Sequence, residues 1–88
     1  MGVVRKIRHF LFPPVFTIII EQGVARAARG TITRKFLDDC GDVAKQLGIY
    51  EGEIYGKKSG NKITLEFSGN IPQSAHQRFR NLWGVHNS

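Results

Sequence analysis

Residues 52–68 read GEIYGKKSGNKITLEFS, and how this stretch folds on itself decides the architecture. Ile63, Leu65 and Phe67 alternate with Lys62, Thr64 and Glu66, the period of a strand with one buried and one solvated face. GEIYGKK (52–58) and NKITLEFS (61–68) flank Ser59-Gly60, which predicts a hairpin closed by a two-residue turn. Such a turn sets Lys57 opposite Lys62, Tyr55 opposite Thr64 and Glu53 opposite Glu66 on the solvated face, with Ile54 against Leu65 inside.

Upstream, VFTIII (15–20), the turn pair Gln22-Gly23 and VARAAR (24–29) predict another hairpin. From Thr33 the period changes. Phe36, Leu37, Cys40, Val43, Ala44 and Leu47 form the stripe of a helix with one buried face. Thr33 caps its start, and Gly48-Ile49 is a left-handed stop in which Ile49 packs back on the last turn. Downstream, IPQSAHQRFRNLWGV (71–85) predicts a second helix. Pro72 stands in its first turn, Gly84-Val85 repeats the stop, and its length is about one turn shorter than the first.

The order is therefore ββαββα. The class is α+β: a four-stranded, mainly antiparallel sheet with both helices on the face of Ile54, Ile63, Leu65 and Phe67. RGTITRKFLDDCGDVAKQLGI and SGNIPQSAHQRFRNLWGV share the run glycine, isoleucine, helix, leucine, glycine, and each follows a hairpin. Duplication of a ββα unit and convergence of helix signals both account for this, and both lead to the same fold.

A chain of 88 residues with 41% hydrophobic residues suits one globular core. We divide it into a basic, flexible tail at residues 1–14 and a single domain at 15–88. Cys40 is the only cysteine, so no internal disulfide forms and no cysteine pair holds zinc; a cytoplasmic setting is expected. The basic-then-apolar start resembles an export signal, but Pro13 and Pro14 interrupt it and no small-residue cleavage site follows. Gly2 lacks the serine or threonine at position 6 that myristoylation requires. The longest nearly apolar run, residues 10–20, falls short of the roughly 18–20 residues that span a bilayer.

The phrases VARAARGTI (24–32), FLDDC (36–40), GEIYGKKSGNKITLEFS and IPQSAHQRFRN (71–81) resemble a small bacterial family classed as a domain of unknown function, over about residues 15–85. The resemblance implies the fold. It carries no activity, cofactor or catalytic residue.

Net charge is +6, and Arg5, Lys6 and Arg8 supply half of it. With an isoelectric point near 10.0, polyanions are the natural partners. HQRFRN (76–81) is the first candidate surface, but at about 100° per residue Phe79 points inward with Ala75 and Leu82, and Arg78 and Arg80 fall on opposite flanks. Most of that stretch is a helix exterior. The solvated sheet face is the better candidate: Tyr55 between Lys57 and Lys62 can stack a base and neutralise phosphate, aided by Arg5, Lys6 and Arg8, so the expected partner is single-stranded RNA or DNA. The alternative is a protein-interaction module, a homodimer or a complex with another protein, using the outward apolar residues Val15, Thr17 and Ile19. Their cover is FLFPP (10–14) folding back, or a second subunit. Val3, Val4, Ile7, Phe10 and Leu11 also form a helical stripe beside Arg5, Lys6, Arg8 and His9, a weak signal for a membrane surface.

Catalysis finds little support. Asp38 and Asp42 share a helix flank with Asp39 nearby, a pattern of solvated surface more than of a metal site. The three histidines have no nucleophile placed beside them, and Cys40 lies on the apolar stripe, where a thiol is packing. GKKSG lacks the spacing of a phosphate loop. We expect a non-enzyme with no cofactor and no metal.

Overall fold

The computed structural model describes residues 13–86. Strands β1 (Phe16–Glu21) and β2 (Val24–Arg29) precede helix α1 (Arg34–Gln46), and strands β3 (Glu51–Ser59) and β4 (Lys62–Phe67) precede helix α2 (Gln73–His86). The sheet runs β2-β1-β3-β4 with every neighbouring pair antiparallel. The ββαββα order and the α+β class are those expected. The sequence left open which strands meet at the centre: β1 pairs with β3, with Ile18 opposite Ile54.

Local signals account for most of the elements. Gln22 and Gly23 take φ of 52° and 74°, the two positive values that the favoured two-residue hairpin turn requires. The Thr33 hydroxyl accepts from the Phe36 N–H at 3.2 Å and caps α1. At the other end Gly48 adopts φ 69°, its N–H donates to the Lys45 carbonyl, and the Ile49 N–H donates to the Ala44 carbonyl at 2.8 Å. These two bonds make a complete Schellman stop, and Ile49 is buried behind it.

Alternation puts Phe16, Ile18, Ile20, Ile54, Leu65 and Phe67 on one face, where they meet Phe36, Cys40 and Ala44 of α1 and Ala75 and Phe79 of α2 in one continuous core. Phe79 is fully buried, as its position on the inward stripe predicts. Burial pushes the Cys40 thiol up to about 12, and the nearby Asp39 charge adds to this. The thiol is uncharged packing.

Three expectations need correction. The second hairpin turns on Gly60-Asn61, not Ser59-Gly60. Ser59 pairs with Lys62, Lys57 with Thr64, Tyr55 with Glu66, and Ile54 with Phe67. The reason is stereochemical: the first central position of this turn needs positive φ, which Gly60 supplies at 65° and Ser59 would supply only under strain. Each residue's partner moves by two positions, so parity survives and no side chain changes face. Secondly, α2 is not the shorter helix; it has 14 residues against 13 in α1. Thirdly, Gly84-Val85 is no stop, because the helix continues through both to His86, whose ring is held by Asp39 of α1.

Candidate functional site

The face of the sheet away from the helices carries Arg26, Thr17, Ile19, Glu53, Tyr55, Lys57, Thr64 and Glu66, as strand parity places them. Long-range pairing then sorts its charges. Glu21 lies opposite Glu51, and Glu53 opposite Ile19, at the end of the sheet where β1 finishes and β3 begins. Lys57, Lys58 and Lys62 gather at the other end, around the Gly60-Asn61 turn. From Glu51 to Lys57 the strand covers roughly 20 Å at about 3.3 Å per residue.

The acidic end borders a shallow, open depression of about 290 Å³, lined in part by Glu21, Arg26, Glu51, Glu53 and Asn70. Its groups are partly engaged with one another. Arg26 Nε donates to Glu21 at 3.1 Å, and Asn70 Nδ2 donates to the Glu51 carbonyl at 3.0 Å. No group of three or more metal-ligating side chains is found among the described residues.

The residues named from the sequence are only partly brought together. Tyr55, Lys57 and Lys62 do share the outer face, but Tyr55 and Lys57 are each only 8% exposed. The Tyr55 hydroxyl donates to Glu53 Oε1 at 2.7 Å. A ring so enclosed offers no open stacking platform. The corrected register also separates the lysines: Lys57 lies beside Thr64, and Lys62 is exposed opposite Ser59. Lys57 and Lys62, expected to lie directly opposite one another, therefore do not pair across the ladder. Arg5, Lys6 and Arg8 lie outside the described residues. Of the alternative surface, Val15 is 43% exposed whereas Thr17 and Ile19 are half-buried.

Lys58 was not legible as part of this cluster. It points to the helix side by parity, yet it is exposed near the end of β3. A run of two lysines at a turn was its only signal. The acidic end was invisible for another reason: Glu21 and Glu51 are brought together only by the pairing of β1 with β3.

The stretch HQRFRN resolves as a helix exterior wrapped on the core edge. His76 stacks on Phe67 with centroids 4.0 Å apart, and the Arg80 guanidinium lies 5.2 Å over the same ring from its place on the same helix flank. Arg78 instead donates to Gln46 Oε1 at 2.8 Å, tying α2 to α1. Asp39 accepts from His86 Nε2 at 2.8 Å and from Lys35 Nζ at 3.3 Å. The His86 hydrogen bond, with Lys35 assisting, holds the Asp39 carboxyl below its ordinary range. It is a structural clasp between the helices.

No helix among the described residues is long and apolar enough to cross a membrane. No curated protein matches the chain, and no solved structure does. One family model matches, over residues 2–88 and so over the whole sheet-and-helix unit, and by it the chain belongs to the family DUF3634, described as a protein of unknown function.

Proposed function

We propose that this domain is a non-catalytic module that binds polyanions, single-stranded nucleic acid foremost, at the lysine end of its sheet. One observation carries the reading: charge is sorted along the strands, with Lys57, Lys58 and Lys62 around the Gly60-Asn61 turn and Glu21, Glu51 and Glu53 at the far end. A phosphate backbone is drawn to the first end and repelled from the second, which gives the approach an orientation. Arg5, Lys6 and Arg8 add three cations to the same molecule. Because Tyr55 is enclosed, phosphate neutralisation and not base stacking supplies the affinity, so binding is weak, salt-sensitive and indifferent to sequence.

The test is an amide chemical-shift titration with a short single-stranded RNA at two salt concentrations. Shifts are expected at Lys58, Gly60, Asn61 and Lys62, with Glu21 and Glu51 silent. Lys58→Ala combined with Lys62→Ala lowers the slope of log affinity against log salt by about 1.4, two contacts at about 0.7 each. A titration at low salt in which the turn does not move overturns the reading, as does a slope unchanged by the double substitution.

A further inference from the structure

Among the described residues the sheet has two edges, and they are built differently. Edge strand β2 holds Arg26 and Arg29 with no acidic residue, and its pairing with β1 slips between Thr17 and Ile18. A bulge and a row of like charges both keep an edge from pairing with another copy of itself. Edge strand β4, KITLEF, has neither: it contains no proline or glycine, and its register with β3 runs unbroken from Lys62 to Phe67. Its backbone groups alternate in direction, as in any antiparallel ladder. The Ser68 N–H donates to the Glu53 carbonyl at 3.0 Å, so Lys62, Thr64 and Glu66, an even number of positions away, also turn their backbone groups toward β3. Ile63, Leu65 and Phe67 turn theirs to the edge.

We propose that β4 is the docking edge for a second copy of this chain, which joins it antiparallel about a two-fold axis through Thr64 and continues the sheet across both subunits. The strand is self-complementary in that register alone. With the axis at Thr64, Lys62 faces Glu66 of the second copy, Glu66 faces its Lys62, and the two Thr64 side chains meet. Ile63 faces Leu65 of the second copy on the helix side. These odd-numbered residues are the ones whose backbone groups reach the edge, so they form the hydrogen-bonded pairs. Lys62 and Glu66 fall in the other pairs, where facing Cα atoms come to about 4.5 Å and opposite charges approach most closely. A carboxylate accepts from several donors at once, so Glu66 takes up this lysine without giving up contacts within its own chain. An axis at Ile63 sets Lys62 against Thr64, and one at Leu65 sets Thr64 against Glu66; neither makes an ion pair. An axis between residues turns the inward set of one copy to the outer face of the other. Lys62 and Thr64 are exposed and Ile63 is half-buried, so the contact covers side chains that the single chain leaves open. Six residues of edge make a contact smaller than the roughly 1,200 Å² of a stable interface, so the dimer is weak and forms reversibly.

Dimerisation is measured on the full chain without nucleic acid, so it stands or falls apart from polyanion binding. Sedimentation and light scattering are expected to show a monomer–dimer equilibrium that shifts with protein concentration. Amide hydrogen exchange gives the position: protection of the Ile63 and Leu65 amides rises with concentration, while the Thr64 amide, turned toward β3, is protected at every concentration. The charges give the register. Lys62→Glu leaves only acids at these two positions and Glu66→Lys only lysines, so each variant alone is expected to dimerise about tenfold or more weakly than the parent. Mixed one to one, the two variants are fully complementary and associate at least as well as the parent, with circular dichroism checking that each is folded. A chain that stays monomeric at millimolar concentration overturns the proposal, as does a dimer whose Ile63 and Leu65 amides ignore concentration. So do folded variants that dimerise as the parent does, or that fail to associate on mixing. If a variant does not fold, the exchange pattern of the parent chain decides.

Discussion

Two helices of this domain meet a glycine followed by a β-branched residue, and only one of them stops. At Gly48-Ile49 the backbone turns left-handed and Ile49 drops into the core at 5% exposure. At Gly84-Val85 the helix runs on, and Val85 is left 73% exposed. A side chain added at either glycine would meet open space, so crowding does not separate them. What differs is the destination of the next residue. Ile49 has a core to enter, whereas continuing past Gly84 brings His86 to Asp39 at 2.8 Å. A glycine permits a stop; the packing of the residue after it makes the stop favourable.

That comparison can be broken by substitution. The largest effect is expected from Ile49→Ala, which empties a buried site and costs about 2–5 kcal/mol, while Val85→Ala stays within about 0.5 kcal/mol. Urea denaturation of the pair measures both. If the two changes cost the same, the packed destination is not what ends α1.

The glycines sharpen the same point, because their alanine variants should differ in sign. Gly48→Ala forces a side chain into left-handed backbone and destabilises by about 1–2 kcal/mol. Gly84→Ala removes backbone entropy from a helix interior and stabilises by about 0.5–1 kcal/mol. Thermal melts of the two variants on either side of the parent are the expected result.

The smallest effect concerns the clasp. Asp39 is held below its ordinary value near 3.8, chiefly by the His86 hydrogen bond. A carboxyl depressed in the folded state contributes stability above its unfolded value and loses it as pH falls through the folded one. Stability should therefore decline slightly on acidification below about pH 4, and Asp39→Asn should remove that part of the decline. Denaturant midpoints taken between neutral and acid pH check it.

Much of the fold can be read directly from the residues. Alternation in KITLEF and the stripe from Phe36 to Ala44 name the buried faces, since side-chain direction follows from a period of 2 or 3.6 whatever the partner. Even the mistaken turn at Ser59-Gly60 kept every side chain on its proper face, because the slip preserved parity. The candidate site was less legible. Its lysines stood out, but the enclosure of Tyr55 and Lys57 did not, because nothing in GEIYGKK records what lies above the strand.

The sequence by itself determined the order of elements, the inward set of each strand and helix, the Thr33 cap and the Gly48 stop, all of which depend on neighbours within a few positions. Tertiary structure alone decided that β1 and β3 form the sheet's centre, that Glu21, Glu51 and Glu53 gather at the end away from Lys57, Lys58 and Lys62, and that α2 continues through Gly84 to reach Asp39. Each of these compares the free energy of contacts between residues some 30 to 50 positions apart, and such contacts leave no periodic trace in the chain.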